Sequence, residues 1–233
     1  LVFTERDFLL LVKVLNLDKE QKKVKYTNKM TDIRTTPIEA DCFYHIYNRG
    51  INGENIFKSD RNYLFFLSKI SDLLVPVCDV YAYCLMSNHF HLLVKIKPDV
   101  DLERFNNAQN LATTSESGLH SPHNIFSKQF ARVFNSYSQA FNKENNRHGS
   151  LIESPFKRKL IISEEYLINM IIYIHQNPQN HSITSNFSKY AFSSYQSVLS
   201  HSKTLLKRDQ VIELFNDREN FIASHKKMID FEF

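Results

Sequence analysis

Residues 80–97 read VYAYCLMSNHFHLLVKIK, and the fold is decided here. Val80–Leu85 is rich in apolar and aromatic residues and suits a strand. Met86-Ser87-Asn88 is a tight turn. His89–Lys97 then alternates: Phe90, Leu92, Val94 and Ile96 take one face, and His89, His91, Leu93, Lys95 and Lys97 take the other. The stretch is a β-hairpin with one core face. His89 and His91 project side by side, about 7 Å apart along the strand, and both imidazoles can reach one metal ion. Lys95 and Lys97 on the same face suit an anionic polymer beside that ion. Taken alone, His-x-His is a weak signal and is more often structural.

Outward from the hairpin, Cys42–Asn48 (CFYHIYN) reads as another strand, and Arg49-Gly50-Ile51-Asn52-Gly53 as a turn. Ser59 can cap a helix running to Leu74, with Asp60 in its first turn and Tyr63, Leu64, Leu67, Ile70 and Leu74 on its apolar face. Asp101–Asn107 starts a short helix, and the Ser/Thr/Asn/His-rich Ala108–His123 reads as a loop. Ile125–Asn142 is the clearest helix, with Phe126, Phe130, Val133, Phe134, Tyr137 and Phe141 in one stripe. An extended segment follows within Ser150–Ile162, carrying Lys157-Arg158-Lys159. Ser163 caps a helix that opens on Glu164-Glu165 and ends at Asn177, where Pro178 stops it. The tail holds a turn at Phe192–Tyr195 and short helices over Arg208–Phe215 and Glu219–Lys227.

In this order the elements resemble a β-hairpin beside an α-helix, with further helices behind it and a helical tail. Three segments follow from it. Residues 1–35 form an extension, residues 36–200 the main domain and residues 201–233 the tail. The extension is either a genuine helix over Glu5–Leu17 or sequence upstream of a true start at Met30.

With 233 residues, 42% of them hydrophobic, a sizeable core is available. The net charge of +4 permits a nucleic-acid partner without requiring one. Cys42, Cys78 and Cys84 are odd in number and form no CxxC pair, so they read as the reduced thiols of a cytosolic protein. Phe8–Leu17 is apolar but interrupted by Lys13 and too short to span a bilayer.

The helix Glu164–Asn177 carries a second set of reactive groups. Leu167, Met170, Ile171 and Ile174 form its buried stripe, and Tyr173 lies off it. Asn177 follows Tyr173 at i+4 on the same face. If this helix packs near the histidine strand, two imidazoles, one amide oxygen and one phenol come together. Two neutral imidazoles and an amide oxygen can hold a divalent ion with positions open, a mixed set that tolerates Mg²⁺ or Mn²⁺. A phenol beside it can attack phosphorus and store the bond energy as a phosphotyrosine.

NHFHLLV, in this light, resembles the His-hydrophobic-His motif of the single-tyrosine HUH transposases. YHIYNRG, AYCLMSNHFHLLV, YIHQNP and FSSY occur in the order seen in REP-associated tyrosine transposases of the insertion-sequence type. The resemblance covers roughly Cys42 to the C-terminus. It implies an α+β fold, a ferredoxin- or RRM-like palm with a central antiparallel sheet and helices on one face, with His89, His91 and Asn177 as ligands of Mg²⁺ or Mn²⁺ and Tyr173 as the nucleophile. It also implies cleavage and joining of single-stranded DNA beside hairpins through a 5′-phosphotyrosine, by a monomer or homodimer in the cytoplasm, at the bacterial nucleoid, without a membrane partner. QNHSI after YIHQNP departs from the family's VRAG-like continuation, which puts DNA specificity in doubt.

Several bland readings stand beside these. Tyr137 is a rival nucleophile, but it falls inside an apolar stripe and reads as core. His175 points away from Tyr173 and reads as a non-ligand. Arg49, Lys95, Lys97, Lys157, Arg158 and Lys159 are candidate contacts to the DNA backbone, or solvated surface cations. The whole chain could instead be a non-catalytic hairpin-DNA-binding protein or repressor derived from such a transposase.

Overall fold

The computed structural model of the chain describes residues 36–108 and 125–229. The helix expected over Glu5–Leu17, the alternative start at Met30 and all but the first residue of the loop expected over Ala108–His123 lie outside the described residues. Four strands form one antiparallel sheet: β1 (Phe43–Arg49), β2 (Cys78–Met86), β3 (His89–Ile96) and β4 (Lys157–Ile161), in the order β2-β3-β1-β4. β2 starts two residues before the apolar run, because Cys78 and Asp79 pair with Ile96 and Lys95 ahead of a bulge between Val80 and Ala82. β1 runs between β3 and β4, with Tyr47 opposite His91 on one side and Lys157 on the other.

Register assigns the faces, since directly paired residues point the same way. Phe90, Leu92 and Val94 share a face with Asn48, Ile46 and Tyr44. That face is covered by α1 (Asp60–Leu73) and α3 (Ile125–Glu144). Phe66 of α1 meets Phe90 at 5.1 Å, and Phe134 of α3 meets it at 5.6 Å. Each such buried side chain contributes about 1.5–3 kcal/mol. α2 (Asp99–Ala108) follows β3. Two details differ from the sequence reading. Leu64 is 61% exposed and Phe66 takes the buried position, because the buried stripe of α1 runs through Asn62, Tyr63, Phe66 and Ile70. Ser59 occupies the cap position without a side-chain hydrogen bond; Asn62 Oδ1 instead accepts from the Lys58 amide.

The opposite face of the sheet carries the histidines and is met by α4 (Glu164–Asn180). Here Ser163 does cap, accepting from the Tyr166 amide at 3.1 Å. Pro178 does not stop this helix at Asn177: it lies inside it. A proline removes one helical N–H bond, here the one to the Ile174 carbonyl, and the helix runs only two residues further, to Asn180. The Pro178 carbonyl is in turn capped by the amides of Ile183 and Thr184.

The tail, with α5 (Tyr195–Leu199), α6 (Arg208–Leu214) and α7 (Arg218–Ser224), docks along β2. Ser193 bridges to Cys84 and Leu206 to Val80. The amides of Leu85, Ser194 and Lys207 bond across this seam, each at 2.9 Å. An edge strand with unpaired amides invites pairing with other chains, and the tail covers it.

Candidate active site

Pairing places a row of functional side chains on the histidine face. β3 supplies His89, His91 and Lys95; opposite them β1 supplies Arg49, Tyr47 and Phe43, with His45 opposite Leu93. Lys157 pairs with Tyr47, and Lys159 with His45. Gly50 allows the chain to turn directly after Arg49, since a Cβ there would collide with the Glu54 carbonyl.

Both motif histidines are held in the form that binds metals. His89 Nδ1 lies 2.6 Å from Asn88 Oδ1. An amide oxygen only accepts, so His89 donates from Nδ1 and keeps its lone pair on Nε2. Burial, then the neighbouring His181 and Arg49, pulls the His89 pKa down to about 4. Burial also holds His91 well below the usual histidine range, assisted by His45, His89 and His181. At neutral pH both imidazoles are uncharged.

α4 brings its polar face to this row. The Tyr173 ring stands edge-on to His91, with centroids 5.8 Å apart, and to His45 at 6.4 Å. Two turns later His181 stands edge-on to His89 at 4.8 Å. Asn177 lies midway between these two contact points on the same helical stripe. It is fully buried. Its Nδ2 donates to the Tyr173 carbonyl at 3.1 Å, and its Oδ1 has no hydrogen-bond partner among the described residues. A buried acceptor left so costs about 1–3 kcal/mol, and a cation would satisfy it. Among the described residues no three His, Cys, Asp or Glu side chains are arranged to hold a metal ion. An ion here would rest on two imidazoles and a neutral oxygen, and the residues present fit that set.

The basic candidates are divided by the sheet. Lys157 and Lys159 share the histidine face. Lys157 Nζ lies 5.8 Å above the Tyr47 ring and 3.6 Å from Glu153. Lys159 Nζ lies 5.7 Å above Tyr166. Arg49 joins Glu153 at 2.6 Å. Lys95 pairs with Asp41 at 3.4 Å, one end of the row away from the histidines. Lys97 lies beyond the end of β3. Arg158 pairs with Ile46 and so points to the other face, where it lies 5.1 Å above Phe156 and donates to the Thr36 carbonyl.

Tyr137 is on the face away from the histidines, packed on Phe66 at 5.1 Å. It donates to the Ile56 carbonyl, and burial raises its pKa. His175 is sealed in a chain of its own. Its Nδ1 meets His225 Nε2 and its Nε2 meets Ser194 Oγ, both at 2.8 Å. His225 Nδ1 donates to the Phe221 carbonyl, which fixes the direction of every bond in the chain. Ser194 is fully buried, so this serine–histidine pair has no access to a substrate.

Sequence reasoning missed His45, Tyr47 and His181. A signal existed for His181, which continues the i, i+4, i+8 series from Tyr173. For His45 and Tyr47 the signal was period two along β1, but which face they share with His91 depends on register.

Residues 40–149 match the family model described as Transposase IS200 like. That segment includes His45, His89 and His91 and ends before α4. No curated protein sequence matches the chain. Among solved structures, a REP-associated tyrosine transposase bound to a REP hairpin is similar at 13% identity and a TM-score of 0.53, over 74% of this chain and 87% of that one. A bacterial tRNA(His) guanylyltransferase-like protein in complex with GTP aligns at 10% identity over 75% of this chain and 79% of that one, with a TM-score of 0.40.

Proposed function

We propose, from the premise that this chain belongs to the IS200-like transposases, that it cuts and rejoins single-stranded DNA beside hairpins, with Tyr173 as its nucleophile. The observation that carries this is the meeting of the Tyr173 ring with His91, with the Asn177 oxygen one helical turn on, buried and without a hydrogen-bond partner among the described residues. His89, His91 and Asn177 are the residues that would hold Mg²⁺ or Mn²⁺. When bound, such an ion polarises the scissile phosphate and offsets charge in the transition state.

The rest is done by the chain. The Tyr173 oxygen attacks phosphorus and loses its proton to solvent. The bond from phosphorus to the 3′ oxygen breaks, and that oxygen leaves as a hydroxyl on taking up a proton. The product is a 5′-phosphotyrosine, and attack by a 3′-hydroxyl reverses the step to join strands. Burial of Tyr173 and the fixed backbone of α4 hold the phenol in place, lowering the entropic part of the barrier. Arg49, Lys157 and Lys159, on the histidine face, are the cations that would hold the flanking phosphates. Arg158 faces away and takes no part. No helix among the described residues is long and apolar enough to cross a membrane.

A denaturing gel tests the reading. Purified chain, Mg²⁺ or Mn²⁺ and labelled single-stranded hairpins from the flanks of its own gene should give a covalent protein–DNA band. The band should vanish with Tyr173→Phe and persist with Tyr137→Phe. An adduct formed by Tyr173→Phe would remove the nucleophile assignment. Shifted but uncut DNA with both metals would favour a binding protein without chemistry.

A further inference from the structure

We infer that His45 is a positioning residue for the metal site: it holds His91 in the one tautomer that presents Nε2 to a cation. The inference rests on the metal reading above. His45 Nε2 lies 2.8 Å from His91 Nδ1. The two rings are within 11° of parallel, as a bond in the plane of both rings requires. Because His91 Nδ1 is engaged there, only Nε2 is left for an ion. A ligating imidazole with its Nε2 lone pair on a cation carries its proton on Nδ1. That proton must be donated to His45 Nε2, so His45 in turn must carry its own proton on Nδ1. His45 cannot be a further ligand through Nε2, since that atom faces the back of His91.

The placement suits a fixed support. His45 is fully buried on β1, which is bonded on both sides by β3 and β4. Tyr47 stacks with His45 at 4.8 Å and with His91 at 5.8 Å, within 17° and 12° of parallel. The ring of His91 is therefore held both by a bond in its plane and by a neighbour across its face. Partners of this kind behind a metal-bound histidine typically change affinity 10–100-fold when removed.

The test uses the full chain without DNA. Mn²⁺ titration followed by electron paramagnetic resonance should show binding by the wild type and none by a His89→Ala, His91→Ala double variant. No binding by the wild type would overturn the metal reading itself. Given that binding, His45→Leu should weaken Mn²⁺ affinity 10–100-fold, while His45→Gln, which keeps an acceptor at similar reach, should recover most of it. Wild-type affinity in a folded His45→Leu chain would overturn the inference, as would equal losses in folded Leu and Gln variants. Should the leucine variant not fold, the wild type decides alone. Long-range ¹H–¹⁵N spectra with saturating Mg²⁺ should show both His91 and His45 protonated on Nδ1. A His45 proton on Nε2 would refute the assigned direction of the bond.

Discussion

Replacing Asn177 by leucine should abolish metal-dependent cleavage and yet leave the metal-free chain as stable as before, or more so. The side chain is fully buried, and its Oδ1 has no hydrogen-bond partner among the described residues. Removing that acceptor regains about 1–3 kcal/mol of desolvation cost. Against this stands the lost bond from Nδ2 to the Tyr173 carbonyl, worth about 0.5–1.5 kcal/mol. That carbonyl sits in mid-helix and remains available to the helix ladder. Leucine keeps the branching and heavy-atom count of asparagine, with bulkier methyls, and its helix propensity is better by a few tenths of a kcal/mol. Apart from the cost of fitting the bulkier methyls, the sum runs from about zero to about 3 kcal/mol in favour of the variant. Urea melts of both chains in a chelator measure it directly, and the same melts in Mn²⁺ should reverse the order. A leucine variant less stable by more than about 1 kcal/mol without metal would refute the reasoning, because it would mean the Asn177 oxygen is satisfied in the free protein.

Four further outcomes are expected. Phe90→Ala should cost about 3–5 kcal/mol in a urea melt, since its ring is fully buried between Phe66 and Phe134; a loss below 1 kcal/mol would contradict the packing. Stability should fall on acidification. Burial lowers the His225 pKa from 6.5 to about 4, so the unfolded chain binds more protons in this window. The contribution is therefore complete above pH 6.5 and lost progressively as pH falls toward 4, on the order of 2–3 kcal/mol for this one group. Equal urea midpoints at pH 7 and pH 5 would refute it. For single-stranded DNA, Lys157→Ala and Lys159→Ala should each reduce the slope of log affinity against log salt by about 0.7, whereas Arg158→Ala should leave the slope unchanged; the reverse pattern would assign DNA to the other face. Arg49→Ala should weaken cleavage mainly through KM, and a pure kcat effect would contradict its role in holding phosphate.

The hairpin, the two helices over the Phe90 face and the facing of Tyr173 with Asn177 were legible because they follow from periodicity, which is local. Period two separates Phe90 from His91 in any register, and a 3.6-residue period joins Phe126 to Phe141. What was not legible is relational. Lys157, Arg158 and Lys159 look like one cluster in a linear reading. Only the pairing of β4 with β1 sends the arginine to one face and the two lysines to the other. His45 sits 46 residues before His91, and nothing local links them. Pro178 was read as a stop because a proline usually is one. Here the lost hydrogen bond falls in the last turn, and the helix continues far enough to bring His181 against His89. Helical spacing puts Leu64 on the apolar face of α1, while the buried stripe of that helix runs through Phe66.

The buried chain from Ser194 through His175 to His225 sets an order of events during synthesis. α4 carries Tyr173, but its neighbour His175 finds its second ring partner 50 residues later. Gln176 likewise bonds to the carbonyls of His225 and Lys227 and accepts from the Ile229 amide. Until residues 225–229 leave the ribosome, two buried polar side chains of α4 lack these partners and the helix is less firmly seated. The hairpin strands, some 80 residues ahead of α4, are by then already made. A ribosome that stalls between α4 and α7 would thus hold a chain with its histidine strand formed and Tyr173 loosely held. On the function proposed above, strand breakage would in this way be withheld from unfinished copies.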